Sequence, residues 1–277
     1  MQIDGSLLLV GCGKMGGALL EGWLSQGVKP EAVTIIEPFE SSFLEQLRAR
    51  GVTAISVVSD LVADYDPAVV VLAIKPQMMD GTIREYRTLS NPGTVFLSIA
   101  AGKTIDYFQA ALGDDSAIVR AMPNTPAAVS RGMTVLCANA SASAMQKKTC
   151  SQLLSTVGET AWVEDEGLLD AVTAVSGGGP AYVFLLIECL AQAAIDAGLP
   201  DDLAQRLARV TVAGSGELVY QASESPSQLR KNVTSPAGTT LEALNVLMAA
   251  DGLQPLMTRA IAAATQRSRE LGRQDPT

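Results

Sequence analysis

Ser6-Leu7-Leu8-Leu9-Val10-Gly11-Cys12-Gly13-Lys14-Met15-Gly16 is the stretch whose reading decides the fold. Its first five residues form a short unbroken apolar run, the pattern of a strand buried on both faces of a parallel sheet. Gly-x-Gly-x-x-Gly follows, and Met15 through Gln26 continue with helical periodicity. The next apolar run, Val33-Thr34-Ile35-Ile36, ends at Glu37. That acid stands about 20 residues beyond Gly16, the spacing of a ribose-binding carboxylate in a dinucleotide site. The glycines allow a tight turn, close approach of a pyrophosphate and close helix–strand packing, so Gly11, Gly13, Lys14, Met15 and Gly16 are candidate cofactor contacts. A carboxylate at Glu37 accepts from a free ribose 2′-hydroxyl and repels a 2′-phosphate, and no Arg or Lys follows before Arg48. The local chemistry favours NADH over NADPH.

Outward from this start the pattern alternates. Helices are predicted over 41–50, from Ser59, from Gln77 and over 104–112. Strands are predicted over 53–57, 68–74, 94–99 and 116–122, with further short strands at 133–138 and 160–163 on either side of a helix over 143–156. Such alternation predicts an α/β fold with a doubly wound parallel sheet. Ligands of open α/β sheets bind beyond the carboxyl ends of the strands. Three loops there form the expected nicotinamide wall: Ala73-Ile74-Lys75-Pro76, Ala100-Ala101-Gly102 and Met122-Pro123-Asn124-Thr125-Pro126. Two prolines that fix one amide and one hydroxyl single out the last of them.

After Glu164-Asp165-Glu166 the strand pattern stops and Ala/Leu-rich helical patterns run on, which divides the chain into 1–164 and 165–277. Ser176-Gly177-Gly178-Gly179-Pro180 is expected to break the first helical stretch. The helix over 181–197 is apolar nearly all round, too short to span a bilayer, and reads as buried. It packs either on a second copy of the chain or at the centre of a monomeric bundle. Further on, Thr234-Ser235-Pro236-Ala237-Gly238-Thr239-Thr240 opens directly into a helix, with Thr239 or Thr240 as N-cap. Its first backbone N–H groups offer a carboxylate a seat without any Lys or Arg.

Composition narrows the chemistry. A net charge of −9 leaves no basic stripe for nucleic acid. The sequence contains no histidine, which excludes Ser-His-Asp hydrolysis and His-based zinc chemistry, so no metal is expected. Four scattered cysteines suit free thiols in a reducing compartment. No basic region precedes the glycine-interrupted N-terminal run, which does not read as a signal peptide. These features point to a cytoplasmic enzyme with a small-molecule substrate and no membrane partner.

On Leu229 to Thr240, Ser176 to Tyr182, Ala100-Ala101-Gly102 and Met122 to Pro126, the chain resembles pyrroline-5-carboxylate reductase along essentially its whole length. The resemblance implies an oxidoreductase of proline biosynthesis that reduces 1-pyrroline-5-carboxylate to L-proline with NADPH or NADH. It implies a Rossmann-type domain followed by an all-helical domain that forms homodimers, in relatives often joined into a decamer of five dimers. It implies that the amides of Gly238, Thr239 and Thr240 grip the substrate carboxylate and that the Thr240 hydroxyl, the catalytic candidate, faces the ring nitrogen. Asn124, Glu166, Ser176 and Glu224 are implied near the substrate. Glu37-Pro38-Phe39 departs from relatives that favour NADPH, and Gly178 replaces a common Ser.

Cyclic-imine reduction needs a hydride on carbon and a proton on nitrogen, so a histidine-free chain suffices if the imine binds already protonated. A β-hydroxyacid dehydrogenase shares the domain plan but usually carries a Lys after the Gly-rich patch, and none lies between Tyr182 and Leu199. A dinucleotide-sensing protein without turnover is opposed by intact loops at every expected contact.

Overall fold

The computed structural model describes residues 3–272. The chain falls into two compact units, each described by itself. The first runs to Gly177 and regains the residues from Ala264 onward; the second is Gly178–Ala263.

In the first unit, β1 (Ser6–Val10), α1 (Lys14–Ser25), β2 (Val33–Ile36), α2 (Ser42–Ala49) and β3 (Thr53–Ile55) make the opening half. β4 (Pro67–Leu72), α3 (Pro76–Thr82), β5 (Val95–Ser98), α4 (Ile105–Leu112) and β6 (Ala117–Met122) follow. β7 (Gly132–Ala138), α5 (Ala144–Ser155), β8 (Gly158–Trp162) and the short α6 (Leu168–Val172) close it. The eight strands form one sheet in the order β3-β2-β1-β4-β5-β6-β7-β8. Because the strand order reverses between β1 and β4, the loops after these two strands part and leave a crevice.

The central strands β1, β2, β4 and β5 are almost wholly apolar because alternate residues serve opposite faces. Leu7, Leu9, Val33, Ile35, Val69, Val71, Val95 and Leu97 meet α1, α2 and α5 on one side. Leu8, Val10, Ile36, Val70, Leu72, Phe96 and Ile118 meet α3 and α4 on the other. The period of two residues thus produces two cores separated by one sheet. Trp23 is wholly buried, and its indole N–H donates to the Leu153 carbonyl at 2.9 Å. Ser41, Thr104 and Ser143, where the sequence predicts helices to start, cap α2, α4 and α5, the last in a reciprocal capping box with Gln146.

Two expectations for the sheet-bearing unit change. The sheet is not parallel throughout: β7 runs antiparallel to β6, and β8 parallel to β7. Residues 123–131 are too few for a helical crossover, so the chain can only fold back. No helix starts at Ser59; a single 3-10 turn at Val58–Asp60 occupies the short link to β4. The Ser-Gly-Gly-Gly-Pro stretch interrupts the α-helix as expected: Thr173–Gly177 widens into a π turn, Gly178 is the N-cap of the next α-helix and Pro180 lies in its first turn. Compact units of contact divide at Gly177/Gly178, a different division from that between the strand-bearing and helical parts of the sequence. Leu169 lies in the second core, and Ser268 Oγ donates to Asp170 at 2.7 Å, which ties both segments to the sheet-bearing unit.

The second unit holds α7 (Gly179–Asp196), α8 (Asp201–Gln221), α9 (Pro226–Asn232), α10 (Thr239–Leu247) and most of α11 (Leu253–Gly272). α7 and α8 pack together, and Ala191, Ala204 and Ala208 are buried. Phe184 remains 60% exposed and Leu185 57%. The expectation of a helix buried within one chain is therefore corrected. Taken through the π turn, residues 168–196 are long and apolar enough to cross a membrane by length and composition, unlike 181–197 alone, and 11% of the apolar window is buried within one chain.

Candidate active site

Parallel register brings the carboxyl ends of β1, β2, β4, β5 and β6 to one edge of the sheet. The Gly11 amide donates to the Ile36 carbonyl at 2.9 Å and the Ala73 amide to Val10 at 2.8 Å, so the first turn and the turn after β4 are fixed side by side.

The three glycines of the first turn do different things. Gly11 has φ +90°, and a Cβ there would stand 2.9 Å from the Ala73 carbonyl oxygen and 2.7 Å from the Ile74 side chain. Gly16 passes so close to the Gly11 carbonyl that a Cβ would collide with it. At Gly13 a Cβ would meet nothing within 4 Å. Gly13 is also the N-cap of α1 and brings no side-chain cap to the helix's first amides. The open face at Gly13 and the bare helix start fit a pyrophosphate, for which a side chain would be an obstruction. Lys14 and Met15 form the first positions of that helix.

Glu37 closes the turn from the side. The Cys12 amide donates to its Oε2 at 2.9 Å and the Phe39 amide to its Oε1 at 3.2 Å. Each oxygen keeps a further lone pair for a ribose hydroxyl. Arg48, the first cation after Glu37, is held by both oxygens of Glu40 at 2.7 Å. Burial, with Glu37 and Glu21 nearby, pushes the Cys12 thiol up to about 11, so it stays protonated at neutral pH and is no nucleophile.

The other loops are braced from below. Lys75 is the N-cap of α3 and Pro76 its first residue, which suits a ring without N–H. Ala100 is buried, and its amide donates to Ser98 Oγ at 3.2 Å. Beyond Ala101, Lys103 Nζ and the Tyr107 hydroxyl both donate to Asp80 Oδ1 at 2.6 Å. These two donors hold the Asp80 carboxyl below its usual range. Pro123 leads into Asn124, whose amide is turned inward. Its Nδ2 donates to Ser176 Oγ at 3.0 Å, and its Oδ1 accepts from the Met133 amide at 2.8 Å. Asn124 and Ser176 are therefore brought together, the latter on the π turn, with the Ser176 hydroxyl hydrogen left to donate elsewhere.

Glu166 is already engaged. Its Oε1 accepts from the Ile105 amide at 2.8 Å and is also paired with Arg120. The sequence reading passed over Arg120, although a lone Arg within the apolar strand Ala117–Met122 signals a buried charge in need of a partner.

Gly238, Thr239, Thr240 and Glu224 belong to the second unit. There Gly238, not a Thr, is the N-cap of α10, and no side chain caps the helix. The chain arrives through Ala237 at φ +57°, a left-handed conformation costly for a residue with a Cβ. A Cβ on Gly238 would collide with the Ser235 side chain. A strained turn thus presents bare first-turn amides at 239 and 240. Glu224 Oε1 accepts from Asn232 Nδ2 at 3.0 Å.

Comparison with known proteins adds the following. Residues 166–271 match the family description "pyrroline-5-carboxylate reductase dimerisation", and residues 6–102 match "NADP oxidoreductase coenzyme F420-dependent". The pyrroline-5-carboxylate reductase of Pseudomonas aeruginosa is 39% identical over 97% of both chains, and that of Glycine max 36% over 96% of both. Among solved structures, the pyrroline-5-carboxylate reductase of Coxiella burnetii superposes with a TM-score of 0.90 at 32% identity, covering 98% of this chain and all of its own. The Plasmodium falciparum pyrroline carboxylate reductase with NADP bound gives a TM-score of 0.80 at 28% identity, covering 97% and 98%.

Proposed function

The chain belongs to the pyrroline-5-carboxylate reductase family, and from that premise we propose how its residues share the work. The enzyme reduces the C=N bond of 1-pyrroline-5-carboxylate to L-proline with NAD(P)H. The two parts, 1–164 for the dinucleotide and 165–277 for substrate and dimerisation, are supported by where the two family descriptions fall.

A bound reduced nicotinamide supplies the hydride. Gly11, Gly13, Lys14, Met15 and Gly16 receive the pyrophosphate on backbone amides and the first turn of α1. Glu37 takes the adenosine ribose hydroxyls. Ala73, Lys75, Pro76, Ala100, Ala101 and Pro123 line the nicotinamide end, and Asn124 sets Ser176 so that its hydroxyl donates toward the substrate. In the second unit the amides of Gly238, Thr239 and Thr240 hold the substrate carboxylate. The Thr240 hydroxyl orients the ring nitrogen, and Glu224 flanks that grip. No residue has to act as a strong base, since a protonated imine needs only to be positioned.

The observation that carries this reading is the uncapped start of α10. An acidic protein that must seat an anion has reason to leave a helix N-terminus bare behind a strained Ala237. Crystals soaked with proline should place its carboxylate on the amides of 238–240; a carboxylate found elsewhere removes the grip. Thr240→Ala should lower turnover about 10- to 100-fold with NAD(P)H affinity nearly intact, the pattern of a lost orienting bond. Steady-state kinetics on that variant measure it, and unchanged turnover would take Thr240 out of the mechanism.

Glu37 and the engaged Arg48 support a preference for NADH. The exposed apolar helices α7 and α8 support a homodimer through the helical domain over a membrane partner; a decamer of five such dimers is the larger assembly that the family resemblance implies. Cysteines 12, 137, 150 and 189, all free, support a reducing, cytoplasmic setting.

A further inference from the structure

We propose that Arg120 and Glu166 are a positioning pair that fixes the two loops flanking the nicotinamide, with Glu166 spent on that task and not on the substrate. The inference rests on the reading above, in which 100–102 and 122–126 line the nicotinamide end.

One carboxylate oxygen, Glu166 Oε1, receives two donors from different elements. Arg120 projects from β6 two residues before Met122-Pro123 begins the second loop. Ile105 is the first residue of α4, reached directly from the first loop, and its amide is one of those a helix leaves unpaired. Glu166 itself lies two residues before α6. A single oxygen therefore ties the end of β6, the start of α4 and the approach to α6. Both side chains are largely shielded, at 13% exposure for Arg120 and 27% for Glu166. In such surroundings a pair with a second hydrogen bond holds its geometry better than an exposed one.

The alternative is that these charges greet a ligand, since they line a cleft of about 450 Å³ with Gly102, Thr104, Asp170 and Arg269. The other charged groups there are also engaged. Asp170 accepts from Ser268 and faces Arg269 at 3.9 Å, and Asp165 accepts from the Gly167 amide. The cleft reads as a braced joint.

Hydride transfer is sensitive to small displacements of the donor, whereas cofactor affinity draws mainly on the adenosine and pyrophosphate contacts. Glu166→Gln keeps an acceptor for the Ile105 amide and loses the charge. It should lower kcat about 10-fold, leave the KM for NAD(P)H within about threefold, and raise the primary isotope effect with nicotinamide deuterated at the transferred position. Arg120→Met should do the same, Arg120→Lys should recover part of the loss, and the double variant should be no worse than Arg120→Met. A raised KM for pyrroline-5-carboxylate at unchanged kcat in Glu166→Gln would overturn the pair and make Glu166 a substrate ligand. Activity lost only in proportion to folded protein, with the isotope effect unmoved, would reduce it to a structural contact. Wild-type enzyme that binds NAD(P)H without contact to residues 100–102 or 122–126, seen in a crystal of that complex, would fault the loop assignment instead.

Discussion

The sheet-bearing unit and the helical unit of this chain treat apolar side chains in opposite ways. In the first, Trp23, Phe96 and Phe108 are fully buried, and both faces of the sheet are covered by the chain's own helices. In the second, Phe184, Leu185, Leu186, Val210 and Leu218 stay exposed, and small Ala residues make up the buried contact of α7 with α8. One unit completes its core within a single chain. The other has the amount of apolar surface that a soluble protein covers by association. The difference teaches that composition does not tell a core helix from an interface helix; what matters is whether the same chain supplies the cover.

The largest effect should come from charging that uncovered face. Phe184→Glu combined with Leu185→Glu places two carboxylates where the partner's side chains belong, at a cost on the order of 5 kcal/mol. Light scattering should show monomers, and turnover should fall at least about 100-fold. A helix that served a membrane instead would carry the wild type onto liposomes and leave the variant's oligomeric mass unchanged. Next is the opposite region: Trp23→Ala should destabilise the sheet-bearing unit by about 3–5 kcal/mol, read by denaturant unfolding, without altering oligomeric state. Equal losses from both variants in both measurements would erase the contrast.

Smaller effects sharpen it within the first unit. NADH should give a higher kcat/KM than NADPH, and Glu37→Ser should narrow the gap by about tenfold, since removing one like charge beside a 2′-phosphate is worth about 1.4 kcal/mol. A wild-type preference for NADPH would refute the argument. The smallest expected change is at Asp80. Its carboxyl is depressed by the hydrogen bonds of Lys103 and Tyr107, so it stabilises the fold above the ordinary carboxylate range and loses that contribution as pH falls through the depressed value. Asp80→Asn should lower Tm at neutral pH by about 1–2 °C and flatten its decline in acid, because the site is partly open to solvent. A scan of Tm against pH decides it.

Much of the first unit was legible in advance. Apolar runs with period-two burial, helix starts at Ser41, Thr104 and Ser143, and three glycines with separate steric duties are local properties that recur at fixed spacing. The return of β7 was also there to be read, in a link too short for a crossover. Less could be seen at the site. The bond of Asn124 to Ser176 and the convergence of Arg120 and Ile105 on Glu166 join residues far apart in sequence, and no local pattern announces which amide turns inward. The cap of α10 shows the limit of residue preference. Thr and Gly are about equally good N-caps by propensity, so preference could not choose among 238–240; the left-handed turn at Ala237 sets where the helix begins.

By itself the sequence determined an alternating α/β unit with a dinucleotide turn, an acidic end to β2, a helical remainder and a chemistry without imidazole, because strand period, helix period and residue inventory are written in neighbouring positions. Tertiary structure alone decided the π turn at Thr173–Gly177, the partners of Asn124 and Glu166, and the exposure of α7. Each of those depends on which distant surfaces arrive first at a given face, and burial and pairing are properties of the arrangement, not of the residue.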